Sequence, residues 1–201
     1  MRVLDLEQGS EEWLQARCGV VTASNFSKVF TTAGKLSTSR DGLVNQAVAE
    51  SLMGKPVEMF KSEAMQRGND LEPQARAMAE LLLDVDISEL GLVKMDKHEI
   101  GCSPDGVWKD DGIEIKCPNA ATHIGYLRAG KLPTTYVQQV QGTMLVLHLE
   151  QYHFLSFHPD LPPFLITVKR DDKLLNLAEP LLIETADIIQ EETTKLRKQH
   201  D

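Results

Sequence analysis

The chain has 201 residues, about one ordinary domain, and its 42% hydrophobic and 25% charged content excludes a disordered tail, a collagen-like fibre or a coiled coil. No window approaches the roughly 18 uncharged apolar residues of a membrane span, and Met1-Arg2-Val3-Leu4-Asp5 lacks the apolar run of a signal peptide, so a cytoplasmic protein with no membrane partner is expected. With 21 Lys+Arg against 30 Asp+Glu, the net charge of −9 excludes a protein that coats nucleic acid through bulk charge, and any DNA-binding surface must be local.

The first half of the chain reads as helical. Ser10 offers an N-cap ahead of Glu11 and Glu12, and Gly19 lies just past the expected helix end. Thr22-Ala23-Ser24 offers a second cap before Asn25–Val29. A helix follows near 41–53, closed by Gly54, and then a helical stretch over 61–83 in which Gly68 and Pro73 are expected to break the first part from the second.

The period changes in the middle. Segments 86–95, 98–102, 106–109 and 112–117 suit short strands, with Lys109-Asp110-Asp111-Gly112 as the turn between the last two. A helix is expected after Pro133, with Tyr136, Val137, Val140, Met144 and Leu147 on its apolar face. Strands at 151–158 and 164–169 and an amphipathic helix from near Asp171 to the end complete the order. With no repeat or linker in it, the chain is read as one domain over 1–201, an α/β arrangement of helices packed around a central mixed sheet.

Three cysteines, Cys18, Cys102 and Cys117, are too few and too scattered for a disulfide scaffold, and none forms a C-x-x-C pair. The six histidines show no zinc spacing.

The segment that carries chemistry is Cys102-Ser103-Pro104-Asp105-Gly106, a turn, then Gly112-Ile113-Glu114-Ile115-Lys116-Cys117-Pro118. Side chains alternate along a strand, so Glu114 and Lys116 share one face, about 6.6 Å apart, while Ile113 and Ile115 point to the core. In a two-residue hairpin the numbers of facing residues sum to an odd value. Asp105 therefore falls on the face of Glu114 and Lys116 whichever pair forms the tip, and with Asp110-Asp111 at the tip it faces Lys116. Two carboxylates and one amine suit a hard divalent cation such as Mg²⁺ and an ammonium that orients or deprotonates water, which implies phosphodiester hydrolysis.

The bare pattern, an Asp some residues before Glu-x-Lys, arises by chance on the order of once in a chain this long. Asp160 with Asp171-Asp172-Lys173 is a looser match, but it falls in a turn and a helix start, where acids have a capping role. The wider set of segments is more specific. Trp13–Ser24, Arg67-Gly68-Asn69-Asp70-Leu71-Glu72, Ser-Pro-Asp-Gly, Ile-Glu-Ile-Lys-Cys-Pro and Gln139-Val140-Gln141, in that order over about residues 10–170, resemble the lambda-exonuclease family of viral recombination nucleases within the PD-(D/E)XK (restriction-endonuclease-like) superfamily.

That resemblance implies metal ligands at Glu72, Asp105, Glu114 and the Ile115 carbonyl, a catalytic lysine at Lys116, and a 5′-phosphate pocket of Arg17, Thr22, Ser24, Ser103 and Gln139. It also implies a Mg²⁺-dependent 5′→3′ exonuclease, with Mn²⁺ able to substitute. Such an enzyme acts on double-stranded DNA ends as a homotrimeric ring, releases mononucleotides and leaves a 3′ strand for a single-strand annealing protein in a bacterial host cell.

Plainer readings stand beside these. Asp105, Glu114 and Lys116 form a surface ion pair if the sheet face is exposed. Glu72 opens a helix at Pro73, Arg17 complements a helix end, and Gln141 replaces Gln139 if the local register shifts by two. Cys117 and Trp13 are expected to pack in the core, and Lys195-Leu196-Arg197-Lys198 to form a solvated helix end. The rival functions are an endonuclease of the same superfamily and an inactive DNA-end-binding protein.

Overall fold

The computed structural model describes residues 1–57 and 63–199, with side chains for all of these except 63–65. The expected helix start at 61 and the last residues of the final helix, with His200, lie outside the described residues.

Among the described residues the strands form two mixed four-stranded sheets instead of one. In the first, β1 (Arg2–Leu4), β3 (Leu92–Lys94), β4 (Ile100–Cys102) and β2 (Val21–Thr22) lie in that spatial order, with only the β4–β2 pair parallel. In the second, β5 (Gly106–Trp108), β6 (Asp111–Lys116), β7 (Gln151–Ser156) and β8 (Phe164–Lys169) do so, with only β6–β7 parallel. The chain passes between the sheets at Cys102–Gly106, and a bridge between Ser88 and Val107 joins β5 to the segment before β3.

Three apolar clusters tie helices to these sheets. α2 (Arg40–Met53), the 3₁₀ segment Ala23–Lys28, α5 (Val137–Leu147) and α6 (Asp172–Arg197) close over the first sheet around Phe26, Phe30, Ile100 and Leu182. α3 (Glu63–Leu83) lays Ala75 and Ala79 against Ile113, Ile115 and Leu155. On the opposite face of the second sheet, Val140 and Met144 of α5 meet Tyr152, Phe154 and Phe164, with α4 (Ala120–Ala129) flanking them. The strand bearing Ile-Glu-Ile-Lys is thus covered on both faces, which suits a strand paired on both edges.

Several local expectations hold. Ser10 caps α1 (Glu11–Ala16) by accepting from the Trp13 N–H, and Asp171 caps α6 by accepting from that of Leu174. Asp171 and Asp172 therefore have the structural role read for the looser motif.

Four differ. Pro73 sits inside an unbroken α3: a mid-helix proline removes one backbone bond, at about 3 kcal/mol, and the packing of Ala75 and Ala79 on the sheet opposes that loss. The β5–β6 register pairs Trp108 with Asp111, so the tip is Lys109–Asp110, with Lys109 in the left-handed region at φ 48°. This moves the register by two, keeps the face of every side chain, and brings Asp105 opposite Glu114 instead of Lys116. Helix α4 was not anticipated, although Asn119 caps its start through the Thr122 N–H and Gly130 ends it at φ 61°. Strand β1 was also unforeseen, because three residues carry too short a pattern.

Candidate active site

Glu114 occupies the middle of β6 with 1% of its surface exposed, so the surface ion-pair reading does not hold. Its Oε1 accepts from Lys116 Nζ, two residues along the same face, and from Gln139 Nε2 of α5 at 2.5 Å. Asp105, just ahead of β5, accepts from the Ile115 N–H at 2.6 Å through Oδ2. Hairpin register and strand alternation thus bring Asp105, Glu114 and Lys116 together, as the sequence predicted.

Burial and the carboxylate of Asp105 push Glu114 up to about 7. Burial acts to lower Lys116, but Glu114 and Asp105 outweigh it and hold the ammonium above its usual range. The Tyr136 ring stands over Lys116, with Nζ 5.6 Å from its centroid.

Two clefts meet at this group. The larger, about 490 Å³, is lined by Gln8, Arg67, Asn69, Glu72, Ile115, Cys117 and Tyr136 together with Asp105 and Lys116. Glu72 of α3 is bound to Arg76 at 2.7 Å and raised by burial and by Asp105, with Arg76 and Lys116 opposing. Cys117 does not simply enter the core. It follows the last residue of β6, where alternation ends, and borders both the Ala75–Ile113 cluster and the cleft.

The smaller cleft, about 160 Å³, gathers Arg17, Thr22, Ser24, Ser103 and Gln139, the whole predicted phosphate set, with Asp105, Glu114 and Lys116, of which Asp105 and Lys116 also line the larger cleft. Arg17 donates to Ser103 Oγ at 3.3 Å, Thr22 Oγ1 at 3.4 Å and Ser24 Oγ at 3.5 Å. Thr22 and Ser24 thus turn their hydroxyls toward a guanidinium instead of capping the 3₁₀ segment, whose cap residue Thr22 makes no side-chain cap bond. Burial lowers the Arg17 pKa, and among the described residues no carboxylate lies within ion-pair distance of it.

Trp13 is corrected from core to cleft. Its ring lies 4.1 Å from the Arg17 guanidinium carbon, and its Nε1 donates to Ser103 Oγ at 3.0 Å. The Gln139–Gln141 alternative is also resolved in position. Gln141 donates to the Lys169 carbonyl and accepts from the Asp171 N–H, both at 2.8 Å, which leaves Gln139 at the cleft.

The donor chemistry suits a hard cation: Glu72, Asp105 and Glu114 each engage one carboxylate oxygen, and the other accepts no hydrogen bond among the described residues. As placed, no three His, Cys, Asp or Glu side chains among the described residues close around one point, since Arg76 draws Glu72 aside and Lys116 holds Glu114. A cation held here would compete with these internal partners.

The sequence reading missed Gln8, Arg67, Asn69 and Tyr136 as site residues. Arg67 and Asn69 lay inside a quoted motif, and Tyr136 was read as an apolar-face residue. Gln8 carried no signal in a single sequence.

Comparison with known proteins gives a consistent result. A family model described as the YqaJ-like viral recombinase domain matches residues 12–150. The alkaline exonuclease of Laribacter hongkongensis is 32% identical, with 95% of this chain and 98% of that chain covered and a TM-score of 0.85. Its complex with dAMP matches to the same extent. A phage-related exonuclease from Haemophilus somnus 129PT, 16% identical over 88% of this chain and 96% of its own, shares the fold at a TM-score of 0.70. No curated protein matches significantly. The fold is of the PD-(D/E)XK type.

Proposed function

The chain belongs to the YqaJ-like viral recombinase family, and from that premise we propose that it is a Mg²⁺-dependent 5′→3′ exonuclease that digests one strand of linear double-stranded DNA to mononucleotides. The observation that carries this reading is that one cleft holds both groups. A partly buried arginine ringed by three hydroxyls, with no ionic partner among the described residues, opens directly onto Asp105, Glu114 and Lys116. A cation taken out of water without a counterion is costly, so such a pocket favours an anion with several acceptor oxygens. A terminal 5′-phosphate is such an anion, and the next phosphodiester would then lie toward the carboxylates.

In this mechanism Glu72, Asp105, Glu114 and the Ile115 carbonyl hold the divalent cation, Mg²⁺ or Mn²⁺, which when bound supplies Lewis-acid stabilisation to the transferring phosphoryl group. Arg17, Thr22, Ser24, Ser103 and Gln139 hold the 5′-phosphate and convert a bimolecular encounter into a positioned one. The Lys116 ammonium orients the attacking water and offsets the charge that develops on the phosphoryl oxygens. Gln139 serves both halves, since its amide also fixes the Glu114 carboxylate.

The family resemblance supports the wider setting: a homotrimeric ring around duplex DNA in a bacterial cytoplasm, delivering a 3′ strand to a single-strand annealing protein. Digestion of duplex DNA labelled at either end, with and without a 5′-phosphate, in Mg²⁺ and in chelator, tests the central reading. The expected result is Mg²⁺-dependent release of the 5′ label as a mononucleotide, faster from phosphorylated ends. Cutting of covalently closed circles would assign an endonuclease instead, and binding of ends without hydrolysis an inactive end-binding protein.

A further inference from the structure

Among the described residues, Gln8 is the one side chain other than Asp105 and Lys116 that lines both clefts. Its Nε2 donates to the Leu90 carbonyl and to the Pro104 carbonyl, each at 2.8 Å. Both acceptors are carbonyl oxygens, which only the amide nitrogen can meet, so the orientation of the amide is fixed. Oε1 is turned away from both and accepts no hydrogen bond among the described residues.

The segment bearing Gln8 is itself anchored at both ends. On one side β1 pairs with β3 over Arg2–Leu4, and the chain then lies on Gly91, where a Cβ would come within 2.5 Å of the Leu4 and Leu6 carbonyls. On the other side Gly9, at φ +88°, turns the chain into the Ser10 cap of α1, the helix that carries Trp13 and leads into Arg17. Pro104 lies between Ser103 of the phosphate pocket and Asp105 of the carboxylate group. The Gln8 amide therefore ties the N-terminal segment that delivers Arg17 to the loop that delivers Asp105.

Resting on the exonuclease reading above, we propose that Gln8 is a positioning residue that sets the separation between the 5′-phosphate pocket and the cleavage centre, and so fixes the length of the released fragment at one nucleotide. With the terminal phosphate seated at Arg17, the bond that reaches Asp105 and Lys116 depends on how far apart α1 and the Ser103–Asp105 loop are held. Trp13, through Ser103, braces the pocket side of that loop, and Gln8, through Pro104, braces the catalytic side. Displacement of about 1 Å at a reacting centre costs about 10²-fold in rate, so loss of this brace affects register before it affects binding.

The test compares wild type with Gln8→Ala and Gln8→Glu on 5′-phosphorylated and 5′-hydroxyl duplexes in Mg²⁺, reading both rate and product length. Gln8→Glu keeps the shape and removes both donors, so it serves if the alanine variant does not fold, and thermal melting checks each. The expected result is mononucleotides alone from wild type. The variants release dinucleotides and longer products, with mononucleotide release from phosphorylated ends reduced by about 10²-fold and that from hydroxyl ends reduced less. A folded variant with wild-type product length and phosphate preference overturns the inference, as does a uniform loss of rate with product length unchanged. A wild-type protein that releases no mononucleotide from phosphorylated ends overturns the exonuclease reading itself, whereas the preceding outcomes overturn the Gln8 inference alone.

Discussion

The two cations of the site differ in what faces them. Lys116 is neutralised from within by Glu114 and Asp105, whereas among the described residues Arg17 has only hydroxyl partners and an indole face. A paired ammonium beside carboxylates serves chemistry, and an unpaired guanidinium fork serves recognition. Lys116→Ala is therefore expected to retain duplex binding in a gel-shift assay while its turnover falls by about 10²–10⁴-fold; full turnover in this variant would remove Lys116 from the mechanism. Arg17→Lys keeps the charge and loses the fork. Its preference for phosphorylated over hydroxyl ends should shrink by about 10–100-fold, the worth of one or two charge-assisted hydrogen bonds, measured as a ratio of initial rates. Equal loss on both kinds of end would argue against the pocket assignment.

At the scale of elements, α5 shows how close packing places a polar group. Its Gly142 faces Phe26, where a Cβ would stand 2.0 Å from the ring, so the helix approaches the 3₁₀ segment too closely for any side chain. That approach brings Gln139, three residues earlier, to Glu114. Gly142→Ala is expected to destabilise the fold by about 1–3 kcal/mol through overpacking, read as a fall of several degrees in Tm, with a further loss of turnover as Gln139 moves. Unchanged Tm would mean that Phe26 has room to shift. The hairpin of β5 and β6 makes a related point. Its tip lies one residue earlier than expected, which shifts the pairing register by two, and the site survived because the side-chain period in a strand is two.

For the whole molecule, the net charge of −9 leaves the DNA-binding reading to local groups instead of bulk charge. Glu184, Asp187 and Glu191 lie exposed along α6, whereas in the clefts Arg17, Arg67 and Lys116 stand beside Glu72, Asp105 and Glu114. A ring would place exposed acids such as these outward and turn the clefts toward the duplex. Light scattering should accordingly give three times the mass of the chain in solution. A monomeric mass that persists when duplex DNA is added would remove the ring. No helix among the described residues is long and apolar enough to cross a membrane.

The sequence by itself determined the chemistry-bearing strand and the faces of its side chains, because alternation and hairpin parity are local rules that tertiary context does not alter. It also determined the caps at Ser10 and Asp171, whose bonds reach only three residues along the chain. The phosphate set was legible through resemblance, since no local rule links Arg17 to Gln139. Only the tertiary structure decided that Glu114 is buried, that Pro73 is carried through α3, that Trp13 bonds Ser103, and that Gln8 bridges two clefts. Each of these depends on contacts between segments 80 or more residues apart or on packing that outweighs local propensity, and neither leaves a periodic signal in a single chain.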